Sequence, residues 1–88
     1  MAGKIFVKPE QAWDYFLERG KDTAVDKIKL AEDLDYGIEI FATPYWEIFT
    51  VNVDVYINGY LEDRDWSTSR AGYIFVTNMI FDLYLGFY

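Results

Sequence analysis

Residues 50–66 read TVNVDVYINGYLEDRDW, and the reading of this stretch decides the fold. Val51, Val53, Val55 and Ile57 alternate with Asn52, Asp54 and Tyr56, the period of two that marks a half-buried strand. Asn58-Gly59 follows, and both residues tolerate the positive φ that a two-residue type I′ turn demands. An antiparallel hairpin is therefore expected. A plain two-residue turn pairs Ile57 with Tyr60, Val55 with Glu62, Val53 with Arg64 and Val51 with Trp66. On the opposite face it pairs Tyr56 with Leu61, Asp54 with Asp63 and Asn52 with Asp65. This register gathers Asp54, Asp63 and Asp65 on one face. Like charges opposed across strands cost about 0.2–1 kcal/mol a pair, so stability alone does not select the arrangement.

Outward from the hairpin, Ile38 and Ile40 alternate with Glu39 ahead of a turn expected at Thr43-Pro44, and a second long strand segment begins at Tyr45. Near the N-terminus, Lys4 to Lys8 reads as a short edge strand blunted by lysines. Pro9 suits the first position of a helix over about 9–19, with Ala12, Trp13, Phe16 and Leu17 at helical spacing and Gly20 as its stop. A second helix is expected over about 23–35, capped by Asp22 or Thr23, striped by Val25, Ile28, Ala31 and Leu34, and ended by Gly37. Residues 72–88 form an almost uncharged run. Periodicity leaves strand and helix both open there: the content of Tyr, Ile, Phe, Val and Thr favours strand, while Ser67 or Ser69 can cap a helix. The expected class is α+β, with N-terminal helices packed on an antiparallel sheet.

At 88 residues the chain makes one domain, able to bury a single modest core. Hydrophobic residues are 52% and aromatics 20%, which excludes intrinsic disorder. Cysteine and histidine are both absent. Disulfides, Cys/His zinc sites, thiolate nucleophiles and imidazole acid–base catalysis are excluded with them, and no cofactor is expected. Asp54 with Asp63 is the one carboxylate pair fit for acid–base work, but a glycosidase needs a deep cleft that so short a chain hardly builds, so no enzyme is expected. The segment from Asp54 to Asp65 imitates a calcium loop superficially. It fails where Tyr56 replaces an oxygen ligand, so no metal is expected. The first residues hold an apolar run of only three, which suits neither a signal peptide nor a membrane span, and a soluble cytoplasmic protein is the default.

The net charge of −7 is unevenly spread. Residues 1–29 sum to +1, whereas residues 30–66 hold nine acids against Arg64 alone. Such a field repels nucleic acid and membranes and steers basic partners, raising association rates by about 10–10³ at low salt. The expected partner is a basic protein, itself a nucleic-acid-binding one. The residues expected to meet it are the acids Asp33, Asp35, Asp54, Glu62, Asp63 and Asp65, with Tyr56, Tyr60 and Trp66, and Trp46 beside them, as aromatic anchors. The plain alternative is that these acids keep an aromatic-rich domain soluble.

In size, and in the acids interleaved with aromatics of YLEDRDW (60–66) and AEDLDYGIE (31–39), the chain resembles the small acidic inhibitors of phages and mobile elements, anti-CRISPR proteins and DNA mimics among them. The resemblance implies steric and electrostatic blockade of a nuclease's nucleic-acid site, without turnover, inside the host cell. Two other readings accompany it: an immunity or adaptor protein that neutralises a basic toxin, and a structural subunit whose aromatic C-terminus, Phe81 to Tyr88, packs against a copy of itself as a homodimer.

Overall fold

The structure, a computed structural model, describes residues 3–19, 27–45 and 50–86. Its elements in chain order are β1 (Lys4–Ile5), α1 (Pro9–Arg19), β2 (Ile28–Asp33), β3 (Ile38–Tyr45), β4 (Thr50–Ile57), β5 (Tyr60–Ser67) and α2 (Arg70–Leu85). The strands form one antiparallel sheet in the order β1-β2-β3-β4-β5, so each strand pairs with its neighbour in sequence. The two helices pack against each other, Ala12 and Phe16 of α1 and Tyr73, Ile80, Phe81 and Leu85 of α2 share one core cluster with strand residues, and the class is α+β.

Local chemistry accounts for α1. Pro9 supplies a helical φ at a position whose N–H needs no partner, and the Lys8 backbone N–H donates to Gln11 Oε1 at 3.1 Å. Ala12 and Phe16, one turn apart, are both buried in the core.

Residues 28–33 are strand, which overturns the expected second helix over that span; residues 23–26 lie outside those described, as do Asp22 and Gly20. The stripe of Ile28, Ala31 and Leu34 suited a helix, but pairing on both sides outweighs local propensity. Glu32 and Ala31 pair with β1, while Ile28 to Asp33 pair with β3 through a bulge at Leu30. The Leu30 carbonyl accepts from the N–H groups of Phe6 (2.8 Å) and Val7 (3.2 Å), so β2 closes the sheet edge against the segment that leads into α1. Gly37, expected as a helix stop, instead closes the β2–β3 hairpin at φ 70°.

The turn expected at Thr43-Pro44 is also corrected, since β3 runs through both residues and pairs Pro44 with Val51. Its pairing with β2 ends at Ala42, so on that side Pro44 has no ladder bond to lose. Val51, Val53 and Val55 of β4, with Ile38, Ile40 and Ala42 of β3, carpet the helix-covered face.

The open question of the C-terminal run is resolved as helix. Ser69 caps it, its hydroxyl accepting from the Gly72 N–H at 3.1 Å, and Gly86 ends it in the left-handed region. Strand propensity loses here to the needs of the sheet: the valine face requires a cover, and a further strand at the edge would leave it wet. Tyr73, Thr77, Ile80, Phe81 and Leu85 form the buried side of α2. Among the described residues no helix is long and apolar enough to cross a membrane.

Candidate partner-binding surface

The β4–β5 hairpin forms at Asn58-Gly59 as expected, with φ of 53° and 85°. Ile57 pairs with Tyr60 and Tyr56 with Leu61, as a two-residue turn dictates. Beyond that the register shifts by one: Val55 faces Asp63, and Glu62 is the extra residue of a β-bulge. Because side chains alternate along a strand, one added residue sends everything after it to the opposite face. The convergence expected of Asp54, Asp63 and Asp65 is thereby overturned.

Asp54 now faces Arg64 on the side of the sheet opposite the valines. Arg64 Nε donates to Asp54 Oδ1 at 2.7 Å and Nη2 to Oδ2 at 3.3 Å, the forked geometry of a charge-assisted pair. Asp54 is 2% exposed. Its hydrogen bond holds the Arg64 guanidinium above its ordinary value, overcoming desolvation. Asp54 is therefore buried and charge-paired with Arg64.

Asp63 and Asp65 turn to the helix side, where α2 runs beside β5. Tyr84 donates its hydroxyl to Asp63 Oδ2 at 3.4 Å, and the Arg64 N–H donates to Asp63 Oδ1 at 2.9 Å. Burial first, and then the Asp63 charge, pushes the Tyr84 phenol up. The same two causes raise the Asp65 carboxyl above the usual carboxylate range. Glu62 projects into solvent from the bulge, and Tyr60 stands 79% exposed at the hairpin tip.

The second acidic segment arrives at the same end of the sheet. The Asn58 N–H donates to the Gly37 carbonyl at 2.9 Å, tying the β2–β3 turn to the β4–β5 turn. Asp35 is exposed in the first of these turns, and Asp33 is buried where β2 ends. Asp33, Asp35, Glu62 and Asp63 thus share the hairpin end of the molecule, with Asp65 farther along β5. Of the ion pairs described, none involves any of these five: Lys29 takes Glu32 and Glu39, Arg64 takes Asp54, and Arg70 takes Asp14.

The expected aromatic anchors divide. Tyr56 is half-buried on the same face as Asp54, packed edge-on to Phe41 at 5.7 Å with Lys27 Nζ 5.5 Å from its ring. Trp66 lies on the same face, 53% exposed, with its ring 5.5 Å from that of Tyr45. Tyr45 and Trp66 stand on β3 and β5, about 10 Å apart across β4, so their rings lean together over the central strand. Asn52 of that strand is wholly buried, and among the described residues neither atom of its amide has a hydrogen-bond partner. Trp46 lies outside the described residues.

Two participants carried no readable signal. Arg64 looked like one more charge in an acidic run, and Tyr84 like one more ring in an apolar one; only the bulge and α2 give them partners. Among the described residues no group of three or more acids comes together as metal ligands would. Compared with protein-family models, curated proteins and solved structures, the chain matches none.

Proposed function

We propose that this chain works by binding rather than turnover, as an acidic inhibitor that occupies the nucleic-acid site of a basic partner. The observation that carries the reading is the set of exposed and half-buried acids at and beside the hairpin end, Asp35, Glu62, Asp63 and Asp65, outside every described ion pair and next to exposed Tyr60, with Asp33 buried behind them. Carboxylates so placed present the charge that phosphates would, and Tyr60 supplies an apolar anchor. The raised Asp65 carboxyl adds support, since a fold that keeps a half-buried acid beside Asp63 gives up stability to hold it there. A toxin-neutralising adaptor would use the same surface.

The test is capture of basic proteins from a host lysate at low and high salt by wild type, by the Glu62→Gln/Asp63→Asn/Asp65→Asn variant and by Asp54→Asn. The reading expects a nucleic-acid-binding protein that wild type retains at low salt and releases at high salt, and that the triple variant fails to hold while keeping its circular dichroism. Asp54→Asn should weaken the fold through Arg64 and still capture. Equal capture by wild type and the triple variant would overturn the proposal.

A second reading has its own observation. Phe75, Met79 and Leu83 repeat every four residues along the outer side of α2 and are 69%, 49% and 72% exposed. An apolar ridge of this kind fits an interface between copies. The segment from Phe81 onward is less suited to that role than expected, because Phe81 and Leu85 belong to the core.

A further inference from the structure

Along the outer side of α2, Ala71, Phe75, Met79 and Leu83 follow one another at intervals of four, and all are exposed. Residues so spaced form one ridge of a helix surface. This ridge is symmetric about the point midway between Phe75 and Met79. Turned end for end, it meets a copy of itself with Phe75 against Met79, and with Ala71, the small member, against Leu83 at either end. A two-fold interface requires self-complementarity of this kind, because both copies present the same patch.

Charge selects both the copy and its direction. The chain carries −7, so two copies repel over most of their surface. Within α2 the only charged residues are Arg70 and Asp82, and they cancel. Asp82 stands exposed beside the ridge near the C-terminal end of the helix. Arg70 belongs to the first turn, whose backbone N–H groups form the positive end of the dipole. Reversal about the midpoint of the ridge lays Asp82 of each copy against the first turn of the other. A parallel pair sets Asp82 against Asp82 instead.

The sheet adds to the same preference. The last turn of α2 lines a groove with Asp33, Tyr36, Ile38 and Ile57, and Tyr84 donates to Asp63, so the acidic hairpin end lies at the C-terminal end of the helix. Parallel helices bring two acidic ends together. Antiparallel ones hold them at opposite ends of the pair, each open to a basic partner of its own.

We infer that the α2 ridge binds the same ridge of a second copy through antiparallel, two-fold-related helices, which rests on the reading of α2 as an interface between copies and fixes the direction of that contact. The chain has no cysteine, so each introduced thiol reports alone. Wild type should sediment as a dimer at micromolar concentration. Ala71→Cys and Leu83→Cys, mixed and treated with a short bismaleimide, should give the product joining position 71 of one chain to position 83 of the other. Ala71→Cys treated alone should stay unlinked, because twelve residues at 1.5 Å each hold the two 71 positions about 18 Å apart in an antiparallel pair. A nitroxide on Ala71→Cys reads that separation in the dimer with the larger ridge residues intact. A wild-type dimer in which Ala71→Cys links chiefly to itself would overturn the inference and leave the interface between copies standing. A wild type that stays monomeric at every concentration would overturn both, and leave the ridge to a different protein.

Discussion

Asp65 is a carboxylate that the fold holds against its ionised form. Burial and the neighbouring Asp63 raise its pKa, so in the folded protein it binds its proton more tightly than in the unfolded chain. By linkage, the folded state then loses stability as pH rises through the carboxylate range and regains it as pH falls back. This is opposite in sign to an ion-paired acid. Asp65→Asn is expected to raise the melting temperature at pH 7, with the gain shrinking toward zero near pH 4. Thermal unfolding of both proteins across that interval checks it; a variant less stable than wild type at pH 7 would show that Asp65 makes a favourable contact in the folded state.

At the scale of elements, two tight turns meet at one end of the sheet and bear on each other. Gly37 and Gly59 both sit in the left-handed region, at φ 70° and 85°. Each should lose about 1–2 kcal/mol on replacement by alanine from backbone strain alone. They differ in surroundings. A Cβ at Gly59 meets nothing within 4 Å, whereas one at Gly37 collides with the Asn58 side-chain oxygen and reaches to 3.3 Å of the Asn58 backbone N. Gly37→Ala is therefore expected to shift the urea midpoint further than Gly59→Ala, and equal shifts would mean that the two turns yield independently. The same end carries the groove and most of the candidate acids, so the Asn58-to-Gly37 bond also sets the spacing of the proposed surface.

Among the described residues the valine face of the sheet shares its core with the helices, and α2 has two apolar sides. A helix that is apolar all round is ordinarily enclosed, but Phe75, Met79 and Leu83 of α2 face outward. If the ridge joins copies of the chain, sedimentation at micromolar concentration should show an oligomer for wild type and a monomer for Phe75→Lys/Met79→Lys, with melting temperature otherwise kept. A wild type that sediments as a monomer throughout would dismiss the second reading. Truncation after Leu83 is not an equivalent test, because it removes Leu85 from the core.

What was legible in the sequence is what local chemistry decides. Pro9 with Ala12 and Phe16 places α1, Asn58-Gly59 places the hairpin, and the alternation of β4 separates its valines from its polar residues. The uneven charge is a property of composition, so the acidic character of the hairpin was readable as well. Three matters were decided only in three dimensions. Ile28–Asp33 becomes a strand because β1 and β3 offer it partners on both sides, a benefit absent from its own spacing. Residues 70–85 become a helix because a sheet with a valine face must be covered, and a continuous apolar run has no period of its own to say so. The bulge at Glu62 flips the rest of β5, pairing Asp54 with Arg64 and turning Asp63 and Asp65 toward α2. A turn type can be read from two residues, but which face an acid occupies depends on every residue between it and the turn, and on the packing that selects the register.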